Sequence, residues 1–451
     1  MGPAKSEQSP AHALLRRVVD VEPHEVRAML ASATFFFCGL ASWFVLRPMR
    51  DAVAAGTTAT QLSWLFVGTL STTLVANPLF WALVVRFPPR KFIPYAYQAI
   101  VASLLLFYLL FRLGNGHDGA ALDVWTGRAF FVWTSMFSLF VSSLFWCFMA
   151  DVFRSDQAKR LFGFIGVGGT IGSVAGSAVT AVLAKSIGEV NLLLVSCVLL
   201  ELAVLTVARF PFPLSESKSG VSTAESFAER VPELQLRAVG GKLLAGFTHT
   251  VKSPYLLGIA GYLILFTIGS TFLYFEQSHI VGAAFADRAT RTVILARIEL
   301  VVQIVTVLTE IFFTGRIIRW FGLVSVLAFL PVVSMLGFGM LASLPIFAAL
   351  AVFVVLRRAG NFALTNPGME VLFTVVPRED KYKAKSFIET FVYRGGDQIG
   401  AWTFAGLTAL GLGLTAISWV AVPVSAVWLG LGIWLSRKQA ALQSALAPTP
   451  P

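Results

Sequence analysis

The chain reads as an all-α membrane protein of twelve transmembrane helices, arranged as two halves of six. Three observations predict this. Of 451 residues, 56% are hydrophobic and only 13% charged, with a mean hydropathy of +0.76; soluble domains carry roughly 25% charged residues. Apolar runs of about 20 residues, enough to cross a hydrocarbon core of about 30 Å, recur along the chain between charges or Gly/Pro. The one long connection, residues 209–254, divides those runs evenly.

The spans follow in order. The first, 28–50, ends among Arg47, Arg50 and Asp51; the second, 60–84, stops before Arg86; the third, 93–112, closes at Arg112. The fourth, 124–149, ends ahead of Asp151 and Arg154; the fifth, 162–184, lies between Arg160 and Lys185; the sixth, 190–208, runs out at Arg209. After Pro254 come 255–281, then 291–314 ending at Gly315 and Arg316, then 322–341 and 346–368. The last two are 387–411, following Lys381, Lys383 and Lys385, and 414–436, closed by Arg437 and Lys438. The expected organisation is thus a tail at 1–27, an N-terminal half at 28–208, a linker at 209–254, a C-terminal half at 255–436 and a tail at 437–451. The linker opens on a Pro/Ser-rich stretch after Phe210 that buries no core, and Lys242–Val251 is expected to lie on the membrane surface as a helix.

Lys and Arg are retained on the cytoplasmic side. Arg86, Arg90, Lys91, Arg154, Lys159, Arg160, Arg316, Arg319, Lys381, Lys383 and Lys385 fall on one side, against Arg112, Arg128, Lys185, Arg288 and Arg291 on the other. Both tails are therefore expected in the cytoplasm and the protein in the cell's inner membrane. The net charge of +11 is read as this basic rim and not as a nucleic-acid surface. Cys38, Cys147 and Cys197 sit inside apolar spans without metal-ligand spacing, so neither a metal nor a cofactor is expected. His12, His24, His117, His249 and His279 form no zinc-hydrolase pattern and no serine occupies a nucleophile elbow, which argues against an enzyme. A monomer in the bilayer is the expected state.

Gly168, Gly172 and Gly176 recur every four residues on one face of the fifth span and read as a close helix contact. Charges inside spans need a stronger reason, because each costs about 2.5–3.5 kcal/mol at a helix centre. In the first span Trp43, Arg47, Arg50 and Asp51 share a stripe of roughly 100° around Pro48, and Arg47 is spaced to pair with Asp51. In the eighth, Glu299, Gln303, Thr306 and Glu310 fall within about 60° of one another. In the tenth, Arg357 and Arg358 are adjacent near the midplane and point about 100° apart, with Asn361 one turn from Arg357. One faces the cavity and the other needs an acid, for which Glu276, Glu299 and Asp397 are candidates. In the eleventh, Glu389, Tyr393 and Asp397 are expected on one face, with Arg394 paired to Asp397.

Three stretches carry a resemblance. VLRPMRDAV in the first span, FWCFMADVFRSDQAKRLFGFIGVGGTIGS across the fourth and fifth, and KYKAKSFIE at the eleventh are similar to segments of the ATP/ADP translocase family of nucleotide transporters. The resemblance implies a major-facilitator-like fold with a central cavity opened alternately to each side, and places Arg50 at that family's basic site in span one. One departure is a charge reversal, since Asp397 stands where the translocases carry lysine beside glycines. The loop VVRFPPRKF keeps only the basic end of the usual major-facilitator signature.

The expected function is secondary active transport of an organic, anionic solute, with a nucleotide or phosphorylated metabolite first. Substrate contacts are assigned to Arg47, Arg50, Glu299, Gln303, Arg357 and Asn361, and the coupling or ion-pair network to Asp51, Glu276, Glu389, Arg394 and Asp397. Proton-coupled transport of another metabolite or drug is the alternative. A non-transporting receptor or assembly factor on a transporter scaffold is the rival from another class.

Overall fold

A computed structural model describes residues 21–86, 89–114, 121–211, 248, 250–377, 384–385 and 387–446. The tail before residue 21, most of the linker including residues 242–247 and 249 of the expected surface helix, Lys381 and Lys383 lie outside the described residues.

The described chain is helical throughout. In order, the long helices are α1 Val26–Ala54, α2 Ala59–Arg86, α3 Pro89–Leu113, α4 Ala121–Val152, α5 Ser155–Ser186 and α6 Leu192–Ala208. They continue as α7 Pro254–Ala284, α8 Arg288–Thr309, α9 Gly315–Ser343, α10 Phe347–Gly360, α11 Tyr393–Ala409 and α12 Leu414–Leu446. Each overlaps an expected span. Among the described residues, ten segments are long and apolar enough to cross a membrane, and α2 and α11 are not among those ten. In α11 the reason is visible: the regular helix covers only 17 residues and includes Arg394 and Asp397.

Two compact units emerge, and the division falls inside helices. The first comprises 1–47, 77–126 and 133–230; the second comprises 48–76, 127–132 and 231–451.

In the first unit α5 meets α1 through the glycine ridge. A methyl group on Gly168, Gly172 or Gly176 would collide with the carbonyl of Ala33, Phe37 or Ala41 respectively, so the backbones approach as closely as small residues permit. Hydroxyls fasten the same region, with Thr180 donating to the Val45 carbonyl at 3.0 Å and Ser42 and Ser196 sharing a hydrogen bond of 2.5 Å. Just ahead of α1, Glu25 accepts from Gln157 at 2.9 Å and pairs with Arg160 at 3.0 Å.

In the second unit, the end of α1 and the start of α2 pack on the C-terminal helices. Ser278 donates to the Ala54 carbonyl at 2.6 Å and Ser63 to the Ala401 carbonyl at 2.9 Å. Phe275, Phe338, Phe353 and Phe404 form the apolar core. Gly396 and Gly400 leave no room for a methyl against Thr267 and Thr271, which brings α11 onto α7. Helix α9 breaks at Gly322, whose φ of 70° suits only a residue without a Cβ.

Among the described residues of this unit, three π-turns interrupt the helices: Glu310–Thr314 after α8, Asn361–Thr365 after α10 and Ile388–Val392 before α11. Such turns carry one extra residue and shift the helical face beyond them. The first two are tied together by Thr314, which donates to the Ala363 carbonyl at 2.8 Å.

Candidate charged site in the second unit

Arg50 and Asp51 are successive residues of α1, and the helix continues through Pro48 to carry them. Arg50 donates to one Asp51 oxygen from Nε at 2.9 Å and from Nη2 at 2.7 Å. Tyr274 of α7 donates its hydroxyl to that oxygen at 2.9 Å. The Arg50 guanidinium also lies 5.4 Å from the Phe131 ring centroid. Asp51 is only 8% exposed, so these donors replace its lost hydration. The i to i+4 spacing suggested Arg47 as its partner, whereas the neighbouring Arg50 clasps it. Arg47, in the first unit, stacks over Trp43 at 5.1 Å and Phe44 at 5.8 Å, in keeping with their shared stripe.

Glu299 of α8 is 3% exposed and gathers three donors. Gln303 one turn on donates at 2.8 Å, and Arg358 of α10 forms a fork to both oxygens at 2.6 and 3.0 Å. Glu299 is also within electrostatic reach of Arg50. Arg50, Asp51, Tyr274, Glu299, Gln303 and Arg358 therefore make one charge-balanced group drawn from four helices. Arg358 was missed as a site residue because helical geometry separates the two adjacent arginines without saying which faces which neighbour.

Arg357 takes the other direction. It is 4% exposed and spends its donors on Ser334 Oγ at 3.0 Å, Ser270 Oγ at 2.9 Å and the Phe266 carbonyl at 3.1 Å. Phe266 and Trp428 flank it at 5.4 and 5.9 Å. It is embedded among α7, α9 and α12 and points away from the Glu299 group. Asn361 opens the π-turn that follows α10.

Tyr393 and Asp397 stand one turn apart on α11 as expected, but Glu389 lies within the π-turn Ile388–Val392, which breaks the 3.6-residue register ahead of them. Glu389, 53% exposed, turns instead to Lys385 at 3.6 Å, which also holds both oxygens of Glu370 at 2.7 Å. Burial works against the Lys385 ammonium, but the Glu370 hydrogen bond and the Glu389 and Glu370 charges keep it protonated above the ordinary lysine range. The Arg394–Asp397 pair is present at 3.7 Å, and Thr271 hydrogen-bonds Asp397 across the α7–α11 contact. Glu276, a candidate partner for an arginine, accepts instead from Ser418 of α12 at 2.6 Å.

Known proteins supply an independent comparison. The family model described as TLC ATP/ADP transporter matches residues 114–438. ADP,ATP carrier protein 1 of Chlamydia muridarum is 23% identical, with 92% of this chain and 88% of that carrier covered. ADP,ATP carrier protein 2 of Chlamydia pneumoniae is 24% identical over 49% of this chain and 44% of its own length. Among solved structures, the nucleoside transporter NupG aligns with a TM-score of 0.58 at 14% identity, covering 94% of this chain and 99% of that one. A bacterial homologue of the iron transporter ferroportin, in an inward-facing state, aligns with a TM-score of 0.61 at 10% identity, covering 92% and 100%. At such identities the structural likeness speaks for the fold alone, which is that of major-facilitator-type transporters.

Proposed function

The chain belongs to the TLC ATP/ADP transporter family, a family of membrane transport proteins, and from that premise we propose that it is a secondary active transporter of an organic anion. A nucleotide or phosphorylated metabolite is the first candidate, moved by alternating access between two six-helix halves. The observation that carries this reading is the balanced group of Arg50, Asp51, Glu299 and Arg358, four charges inside the helical bundle of a membrane protein.

Intramembrane charges that are costly to insert pair with one another when no solute is bound. Each arginine then has an internal carboxylate that an incoming phosphate competes with. Arg50 and Arg358 present planar forks suited to phosphate oxygens, and Asp51 and Glu299 are the groups such a solute displaces. Re-forming the internal pairs as the solute leaves returns the empty carrier to a low-energy state. Arg47 adds a further cation on the α1 stripe. The basic residues of the short loops support both termini facing the cytoplasm.

The test is uptake of labelled ATP into proteoliposomes preloaded with ATP, ADP or buffer. The reading expects interior nucleotide to accelerate uptake and Arg50→Ala to abolish that acceleration. Uptake indifferent to both the interior load and the substitution would remove the nucleotide reading. Proton-coupled transport is the second reading, favoured by Asp397 at the position where the translocases it resembles carry lysine. A non-transporting scaffold predicts instead that no nucleotide raises the thermal stability of the wild-type protein.

A further inference from the structure

The buried charges of the second unit do not all find partners of opposite sign. Asp51 has Arg50 and Glu299 has Arg358. Glu276 has none. It is 1% exposed, its Oε1 accepts from Ser418, and its Oε2 is buried without a hydrogen-bond partner among the described residues.

The groups that face this region from each packed element are otherwise committed. On α7 itself, Tyr274 serves Asp51, and His279, one turn from Glu276, sets its ring 6.4 Å from that of Phe404. On α11, Asp397 is held by Arg394 and Thr271. Helix α12 presents Ser418 and no charge between Leu414 and Ser436, and the 59–76 stretch of α2 carries none. At the end of α1, Arg50 and Asp51 hold each other. On α10, Arg358 holds Glu299, leaving Arg357, whose guanidinium sits at the level of Ser270.

Arg357 is too far away to compensate an ionised Glu276. Six helical residues separate Ser270 from Glu276, which is about 9 Å along the axis. At that distance the attraction between opposite charges is weak. Desolvating an ionised carboxylate costs more than such an attraction returns. Burial wins over attraction, and the neutral acid is the form that this environment holds.

We propose that Glu276 is a proton-binding site, occupied in this state, through which solute movement is coupled to a proton gradient. The proton resides on the carboxyl while Ser418 donates to its other oxygen, and it leaves when α7, α11 and α12 part enough to admit water. Two side-chain oxygens from Glu276 and one from Ser418 are too few for a metal-cation cage, which takes six or more oxygen ligands for calcium. The site thus goes beyond the anion reading, and only its coupling role rests on that reading.

Infrared spectroscopy of the purified protein in lipid decides whether the site exists. The carbonyl stretch of a protonated carboxyl, shifted in D2O, is expected at neutral pH, persisting in Asp397→Asn and lost in Glu276→Gln. The glutamine keeps an acceptor for Ser418, so an unchanged melting temperature shows that the fold survives. Absence of the band in the wild type, or its persistence in Glu276→Gln, overturns the proposal. Coupling is read from labelled ATP uptake under an imposed pH gradient. The wild type is expected to gain several-fold over no gradient, while Glu276→Gln gains nothing yet still exchanges ATP for interior ATP. Wild-type ATP uptake without any response to the gradient overturns coupling. A wild type that takes up no ATP at all counts against the nucleotide reading, and the infrared band then decides the site alone.

Discussion

Removing the Arg358 guanidinium tests the charged group most directly. Glu299 is 3% exposed, and Arg358→Met removes the two hydrogen bonds that the guanidinium donates to it, while that from Gln303 stays. Breaking one side of a buried pair costs about 3–5 kcal/mol, because the surviving charge stays desolvated. Glu299→Gln should cost less, about 1.5–3 kcal/mol, since the Arg358 side chain, 19% exposed, is less buried than Glu299. The double variant carries no buried charge at this position, so its loss should fall short of the sum of the two singles by a coupling energy of about 1–3 kcal/mol. Equilibrium unfolding of the purified protein in mixed micelles gives the three differences. Losses in the double variant that equal the sum of the singles to within about 0.5 kcal/mol would refute the pairing.

Three further outcomes are expected. Tyr274→Phe removes one hydrogen bond from the buried Asp51 carboxylate, so unfolding measurements should show a loss of about 1.5–3 kcal/mol, and labelled-solute uptake should fall with it; an unchanged protein would mean that the hydroxyl does no work there. Gly172→Leu drives a side chain into the Phe37 carbonyl of α1, whereas Gly163→Ala meets open space; folded yield after detergent extraction should collapse in the first and hold in the second. Glu25 is pushed up by burial but pulled below its ordinary value of 4.5 by the Glu22 backbone, Gln157 and Arg160. Its folded pKa being depressed, its contribution is complete above 4.5 and disappears as pH falls through the lower folded value; Glu25→Gln should flatten that part of the stability profile, seen in thermal melts across acid pH.

Helix positions were legible because each apolar run is long enough to register and ends in charges or Gly/Pro. Some features of single helices were legible too: the small face of α5 and the Arg394–Asp397 pair follow from the 3.6-residue repeat, whereas the same repeat pointed to Arg47 for Asp51, which Arg50 holds. That repeat fails wherever a π-turn inserts a residue, and this is why Glu389 leaves the face of Asp397 and joins Lys385. Partner choice between helices is a further step removed. Nothing along the chain says that Glu299 meets Arg358 or that Tyr274 reaches Asp51, since those pairs depend on the rotation of one helix against another.

The two arginines of α10 make the difference concrete. Neighbours about 100° apart on a helix cannot share an environment, and here one enters a carboxylate network while the other enters a cradle of two hydroxyls, a carbonyl and two aromatic rings. Arg357 stays charged in that cradle because guanidinium is weakly hydrated and stacks on ring faces. A buried glutamate has no comparable recourse. With Glu276 protonated, Arg357 is the one buried charge among the described residues of the second unit that is not neutralised by an acid. An excess of positive charge favours an entering anion, and loss of the Glu276 proton would reduce that excess. Proton release and anion release would then favour each other electrostatically, which gives the proposed coupling a direction: both travel the same way across the membrane.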